Sequence, residues 1–140
     1  VERSRGLGDV YKRQVQIYPV EPLTCNDTEI SLKNRTRTRL KIHQNTICDA
    51  LEVEIPGEIT FPINLQNCTA GISVTDEEVC TAMKYLYNEF KVKAEPSGCV
   101  SLAAVLSNKI NVQGKHVLVT ISGGNVDEQN FSEYLKLAKD

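Results

Sequence analysis

Residues 115–121 (K-H-V-L-V-T-I) form a nearly continuous apolar run rich in β-branched side chains, and Ser122-Gly123-Gly124-Asn125 follows at once. Such a run predicts a strand covered on both faces, as in the centre of a parallel sheet. Ligands of open parallel sheets bind where the strands end, and glycines there let a ligand approach the backbone. The junction therefore favours an α/β fold and makes the Ser122 hydroxyl a candidate ligand contact. A glycine turn capped by serine is the alternative.

The rest of the chain from Val15 onward alternates short apolar runs with amphipathic segments, which is typical of α/β folds. Residues 15–21 predict a strand that Pro19 interrupts, because proline cannot donate to a ladder, so this strand is expected at a sheet edge. Residues 27–34 predict a short helix. Arginine and threonine alternate over residues 34–41 without aromatic side chains, which favours a solvated edge over a nucleic-acid surface.

Three longer helices are predicted in the second half. The first covers residues 76–90, where Thr75 and Glu78 form a capping box. The second begins near Ser97, after a proline, and is apolar enough all round to be buried. The third follows the glycines at the C-terminal end. Apolar residues expected to share a face are Val79, Met83, Leu86 and Phe90 in the first helix, and Phe131, Leu135 and Ala138 in the third.

Composition disfavours two classes of partner and indicates a compartment. With 16 basic and 18 acidic residues the net charge is −2, so the basic excess of a nucleic-acid-binding protein is missing. No apolar run approaches the roughly 18 residues of a membrane span. The five cysteines form no C-x-x-C pair and are odd in number, which favours reduced thiols and a cytoplasmic protein.

The first fourteen residues predict no part of a core, because they are charged, contain glycine and show no helical or strand period. The string resembles the in-frame translation of a sequencing adapter. We therefore divide the chain into a non-native or disordered leader, residues 1–14, and a domain, residues 15–140, and we expect the true protein to continue upstream. A native flexible leader is the alternative.

Two carboxylates, Glu21 and Asp27, lie six residues apart where the first predicted strand enters a turn. Together with a main-chain carbonyl between them they could hold a hard cation such as Mg²⁺ or Ca²⁺. Ordinary helix capping by the same residues is the alternative.

Six phrases in order give the chain a family resemblance from about residue 15 to residue 137. The sequence resembles the C-terminal part of a threonine/serine dehydratase of the pyridoxal-phosphate fold type II family, which also contains serine racemase. The phrases are V-E-P at 20–22, T-I-C-D-A-L at 46–51, P-G-E-I-T-F-P at 56–62, V-T-D-E-E at 74–78, A-E-P-S-G-C-V-S-L-A-A-V-L at 94–106 and V-L-V-T-I-S-G-G-N-V-D at 117–127.

This resemblance implies an incomplete C-terminal portion of that family's large domain, a mostly parallel sheet flanked by helices. It implies pyridoxal 5'-phosphate as cofactor and L-threonine or L-serine as substrate, converted by β-elimination to a 2-oxo acid and ammonia. A homodimer is implied for the full-length protein. A serine racemase-type reaction and a non-catalytic small-molecule-binding domain remain alternatives.

The resemblance also assigns roles to individual residues. Ser122 matches the serine that bonds the pyridine nitrogen of the cofactor. No segment matches the S-F-K-x-R lysine of the Schiff base or the glycine-rich phosphate loop, which lie upstream in relatives, so the visible chain is expected to be inactive alone. The other implied positions are Gly123 and Gly124 near the ring, Glu95 in support of the pocket, Glu21, the Cys25 carbonyl and Asp27 at a divalent cation, and Lys91 and Asn125 at a nucleotide effector.

Overall fold

The computed structural model describes residues 15–41 and 45–139. These residues form an α/β arrangement of two short parallel strands and five α-helices, as the sequence predicts. Single 3-10 turns cover Leu23–Cys25 and Asp49–Leu51. In chain order the elements are β1 (Val20–Pro22), α1 (Asp27–Asn34), α2 (Thr60–Asn67), β2 (Ile72–Val74), α3 (Asp76–Phe90), α4 (Pro96–Leu106) and α5 (Glu128–Leu137). The predicted leader, residues 1–14, lies outside the described residues.

Strands β1 and β2 pair in parallel, with Val20 opposite Ile72. The predicted strand over residues 15–21 is therefore wrong at its N-terminal end, since regular pairing begins only after Pro19. Two backbone bonds still tie the preceding segment to the approach of β2. The Thr69 amide donates to the Ile17 carbonyl at 2.8 Å, and the Ile72 amide donates to the Pro19 carbonyl at 2.9 Å. Proline thus delays the ladder without detaching the segment.

The core lies between α3, α4 and α5. Helix α3 begins with the predicted capping box of Thr75 and Glu78, and α4 begins with Pro96 in its first turn. Phe131 carries α5 into the same core. The prediction for Phe90 is wrong, because this last residue of α3 is 62% exposed and packs edge-on against Tyr85. The fully buried residues of the core include Val74, Val79, Met83, Cys99 and Ala103.

Residues 115–121 do not form the predicted central strand. Leu118 is 96% exposed and Val117 is 49% exposed, whereas Val119 and Ile121 pack partly against the core, so only one side of the run is covered. It borders a groove of about 710 Å³, called here the sheet-side groove, whose other walls include residues 15–18, Val20 and Ile72. A strand persists only where its backbone groups find partners in a ladder, and β1 and β2 pair only with each other among the described residues.

The basic segment after α1 is held against an acidic one. Arg37 donates to the Pro56 carbonyl at 2.9 Å and pairs with Glu58 at 3.1 Å. Arg39 forms an ion pair with Glu54, whose carbonyl accepts from the Leu40 amide at 2.8 Å. These arginines therefore already have protein partners.

No helix among the described residues combines the length and the apolar character needed to cross a membrane.

Candidate functional site

The Ser-Gly-Gly-Asn loop, residues 122–125, lies on the first turn of α4. The Asn125 amide donates to Glu95 Oε2 at 2.8 Å, and the Glu95 amide donates to the Gly123 carbonyl at 3.3 Å. The Ser122 amide donates to the Gly98 carbonyl at 3.4 Å. Glu95 and Gly98 are thus brought next to residues 122–125 at the N-terminal end of α4. A pocket shared by Glu95 and Ser122 requires this closeness.

Glycines allow this close approach. Gly123 has φ +74°, in the region that favours glycine, and a Cβ there would lie 2.3 Å from Glu95 Oε1. A Cβ on Gly98 would lie 1.6 Å from the Ser122 carbonyl oxygen. Gly124 would place its Cβ 3.1 Å from the Lys93 carbonyl oxygen. Packing against residues 93–98 therefore explains these glycines without a ligand, and contact of Gly123 and Gly124 with a cofactor stays a prediction.

Gly98 is a close-packed position beside the loop that the sequence interpretation missed. Its signal was a glycine inside an otherwise apolar helical stretch, which often marks a close backbone approach. The structure shows that the approaching backbone is that of Ser122.

The Ser122 side chain is exposed, and its hydroxyl has no hydrogen-bond partner among the described residues. A hydroxyl can donate to a ring nitrogen. Because the backbone on both sides of Ser122 is bonded to α4, the hydroxyl is carried on a fixed loop and is available to a ligand. This arrangement fits the pyridine nitrogen of pyridoxal phosphate.

The second predicted site joins Glu21, on β1, to the start of α1. The Glu21 carboxylate accepts from the Thr28 amide at 3.1 Å and from the Glu29 amide at 2.9 Å. Glu21 thus satisfies two free N–H groups of the first turn of α1, which is the capping role that the sequence left open.

Burial changes the acidity of this carboxylate pair. Loss of solvent is the main reason that the pKa of Glu21 is raised from 4.5 to about 7, and the nearby charge of Asp27 contributes to the same rise. Burial also raises the pKa of Asp27, which is 3% exposed. A buried and a half-buried carboxyl group in contact attract either a proton or a cation, and oxygen ligands suit Mg²⁺ and Ca²⁺.

The side chains alone do not complete a metal site. Within the part of the chain that the structure describes, no three His, Cys, Asp or Glu side chains lie together in a way that could hold a metal ion. Cys25 is buried, and burial raises the pKa of its thiol, which disfavours the thiolate that binds metals. A cation between Glu21 and Asp27 would therefore need main-chain oxygen.

The two residues matched to an effector site make separate contacts. Lys91 ends α3 in the left-handed conformation, and its Nζ donates to the Asn88 carbonyl at 3.0 Å and lies over the Tyr87 ring. The backbone amide of Asn125 donates a hydrogen bond to the Glu95 carboxylate. The structure shows no hydrogen bond between these two described residues, so a shared effector site stays a prediction.

Comparison with known families decides the membership of the chain. The family model described as "Pyridoxal-phosphate dependent enzyme" matches residues 4–123. The chain belongs to this family. The resemblance inferred from the six sequence phrases is thereby confirmed.

Curated relatives within the family differ in their named reactions. A serine racemase from Dictyostelium discoideum is 36% identical over 124 residues, which cover 86% of this chain and 38% of the relative. A catabolic L-threonine dehydratase from Staphylococcus aureus is 41% identical over 120 residues, which cover 84% of this chain and 34% of the relative. The chain thus spans little more than a third of the length of these relatives.

Solved structures confirm the fold. The chain is similar to the crystal structure of the Dictyostelium discoideum serine racemase, with a TM-score of 0.72 and 37% identity over 81% of this chain and 36% of that one. It is also similar to maize serine racemase, with a TM-score of 0.78 and 28% identity over 92% of this chain and 42% of that one. The described elements are therefore part of the fold type II architecture of pyridoxal-phosphate enzymes.

Proposed function

We propose that the chain is part of a pyridoxal-phosphate-dependent ammonia-lyase that converts L-threonine or L-serine to a 2-oxo acid and ammonia. The observation that carries this proposal is the exposed Ser122 hydroxyl, held on a fixed glycine loop at the start of α4 in a member of this family. The similarity to a threonine dehydratase supports the reaction class.

The role of Ser122 would be to hold the pyridine nitrogen through a hydrogen bond. When bound, pyridoxal phosphate supplies the electron sink for chemistry at the amino-acid Cα. A neutral hydroxyl can meet the ring nitrogen without compelling its protonation, unlike a carboxylate. Glu95 would hold the loop that carries Ser122, since its carboxylate accepts a hydrogen bond from the Asn125 amide.

Racemisation of serine is the second candidate reaction. It is favoured by the 36% identity to a curated serine racemase, which is close to the 41% identity to the dehydratase. Both reactions would use Ser122 in the same way. The groups that separate them, together with the Schiff-base lysine and the phosphate loop, would be supplied from outside these 140 residues, and the chain alone would be inactive.

A divalent cation is proposed at Glu21 and Asp27, with the Cys25 carbonyl as the third ligand. The chemistry supporting it is the partly buried pair of Glu21 and Asp27, whose mutual repulsion a cation would relieve. The test is a thermal melt with and without Mg²⁺ or Ca²⁺ at pH 8. A rise in melting temperature that Asp27→Asn abolishes would support the site, and an equal rise in both proteins would contradict it.

Further expectations concern the environment of the whole protein. A homodimer, a cytoplasmic location and a nucleotide effector at Lys91 and Asn125 remain proposals. Size-exclusion chromatography of the complete enzyme tests the first of these. A change of activity on adding a nucleotide, lost in Lys91→Ala, tests the last.

The proposed reaction is tested in a chimera. Residues of this chain replace the matching third of the Dictyostelium serine racemase, which supplies the missing parts. We expect 2-oxobutanoate from L-threonine or pyruvate from L-serine, or D-serine from L-serine for the racemase alternative. Ser122→Ala should reduce turnover at least about tenfold, as expected for a lost hydrogen bond to a reacting group.

Ser132→Ala is the matched control, because Ser132 is another exposed serine and lies on α5. It should leave turnover unchanged. A folded, pyridoxal-phosphate-loaded chimera that forms neither a 2-oxo acid nor D-serine would contradict the proposed function. Equal turnover in the two serine variants would contradict the role of Ser122.

A further inference from the structure

Glu95 occupies the position just before α4 that normally caps the helix, yet its side chain makes no cap bond to that helix. Serine, threonine, aspartate and asparagine are the residues that cap well there, because a short side chain can reach the free N–H groups of the first turn. The glutamate is therefore not explained by the needs of α4. Its carboxylate instead bonds the amide of Asn125, thirty residues later.

The bond to Asn125 is the shortest of the three that hold the loop. It measures 2.8 Å and joins an N–H to a carboxylate, whereas the two backbone bonds of the loop measure 3.3 and 3.4 Å. Hydrogen bonds to charged acceptors are stronger than those between neutral groups. Removing the carboxylate should therefore release the loop more than loss of either backbone bond.

The carboxylate also fills the space beside Gly123. Any side chain at position 123 would meet Glu95 Oε1 first. Glu95 Oε2 thus accepts a hydrogen bond from Asn125, and Glu95 Oε1 lies beside Gly123. Glu95 therefore holds the loop on both sides of Gly124, at Gly123 and at Asn125.

We propose that Glu95 is a positioning residue for Ser122. By accepting the Asn125 amide it fixes the backbone from which the Ser122 hydroxyl reaches the pyridine nitrogen of the ligand. Gly98 leaves the space that the Ser122 carbonyl occupies. The assignment of the ligand rests on the proposed function, whereas the fixation of the loop does not.

The test measures hydrogen exchange of the Asn125 amide in the 140-residue chain, by mass spectrometry with residue-level fragmentation at micromolar concentration. Glu95→Ala should accelerate this exchange at least about tenfold, because the amide loses its charged acceptor. Glu95→Gln keeps a neutral oxygen acceptor and should give an intermediate rate. Exchange in the middle of α3 should not change in either variant.

The matched control is Glu128→Ala, which removes a carboxylate three residues after Asn125 that pairs with Lys93 instead. Its Asn125 exchange should equal that of the parent chain. The proposal is overturned if Glu95→Ala exchanges no faster at Asn125 than Glu128→Ala does. It is also overturned if α3 and Asn125 accelerate equally, since Glu95 would then hold the whole fold and not the loop.

This measurement contains no pyridoxal phosphate, so its outcome is separate from that of the chimera. Accelerated exchange in Glu95→Ala, combined with a folded parent chimera that keeps Ser122 but is inactive, would support the positioning of the loop and contradict the proposed reaction. Within an active chimera, Glu95→Gln should restore most of the turnover that Glu95→Ala loses. A chimera in which neither change at Glu95 affects turnover would overturn the link from Glu95 to Ser122.

Discussion

At the scale of single residues, the carboxyl group of Glu21 is partly withdrawn from water, and its pKa is raised to about 7. It belongs to the middle residue of β1, accepts from two backbone amides and lies near the carboxyl group of Asp27. Burial dominates, so the pKa is raised although the hydrogen bonds lower it. The folded chain therefore binds a proton at Glu21 more tightly than the unfolded chain does.

The first prediction follows from this difference. A group whose pKa is higher in the folded state contributes stability below its unfolded pKa and loses it as the pH rises through its folded pKa. In the absence of divalent cations, the free energy of unfolding should fall between pH 4.5 and about 7, by at most about 3 kcal/mol from Glu21. Urea denaturation across that range measures it.

Glu21→Gln should flatten this fall, because glutamine does not titrate. Glu133→Gln, at an exposed glutamate of α5, is the matched control and should keep the slope of the parent chain. Asp27 titrates with Glu21 as a pair, so a smaller slope in the same direction should persist in Glu21→Gln. A Glu21→Gln profile parallel to that of Glu133→Gln would contradict the assigned cause.

At the scale of elements, the α3 helix shows how a local sequence signal fixes a boundary. The Thr75 hydroxyl accepts from the Glu78 amide at 3.2 Å, and the Thr75 amide donates to the Glu78 carboxylate at 2.8 Å. Both bonds join residues three apart, so they need no tertiary structure to form. The start of this helix is therefore predictable from sequence.

The second prediction concerns this capping box. Thr75→Ala should lower the free energy of unfolding by about 1 kcal/mol, because an N–H of the first turn loses its acceptor. Thr75→Ser keeps the hydroxyl and should recover most of the loss. Urea titration should show a shifted midpoint with an unchanged slope.

Thr120→Ala is the matched control, since Thr120 is exposed and belongs to no helix. It should change the free energy of unfolding by less than about 0.5 kcal/mol. Equal losses in Thr75→Ala and Thr120→Ala would show that the capping box does not stabilise α3.

Elements that depend on distant partners were predicted less well. The helices α1, α3, α4 and α5 follow from local periodicity and capping, whereas the short helix α2 and the turn at Asp49–Leu51 were missed. The strand over residues 115–121 was predicted from its apolar pattern, but a ladder needs neighbours that the pattern does not supply. Phe90 has the spacing of a core residue, yet the helix ends there and leaves the ring exposed.

The candidate site divides in the same way. Ser122 and its glycines were found from their place after an apolar run, and Glu95 from family resemblance. The pairing of Glu95 with Asn125 and the closeness of Gly98 to Ser122 depend on how the loop meets α4. These contacts join residues 24 to 30 positions apart, so no local pattern encodes them.

At the scale of the whole molecule, the described residues leave one sequence-predicted core segment on the surface. Residues 115–121 have the composition of a buried strand, yet Leu118 is almost fully exposed beside the sheet-side groove. The chain spans about 38% of the length of the Dictyostelium relative, which contains more of the fold than these 140 residues provide. An uncovered apolar surface of this kind promotes association.

The third prediction is that Leu118→Lys improves the solubility of the 140-residue chain but destabilises the chimera. In the 140-residue chain, Leu118→Lys should raise solubility and reduce binding of a hydrophobic dye, because it replaces an exposed apolar side chain beside the groove by a charge. Ile59→Lys is the matched control, at a residue 84% exposed outside the lining of the groove. It should have a smaller effect on dye binding.

In the chimera the same Leu118→Lys change should be harmful. Once neighbouring strands are present, residues 115–121 are expected to form the buried strand that their sequence predicts. A lysine at position 118 would then lose its hydration, and the cost of burying its charge would destabilise the strand just before Ser122. Thermal melts and turnover measure this loss, with Ile59→Lys expected to leave both near the parent values. A Leu118→Lys chimera as stable and active as the parent would mean that this run stays on the surface in the whole enzyme, and the predicted central strand would be wrong there as well.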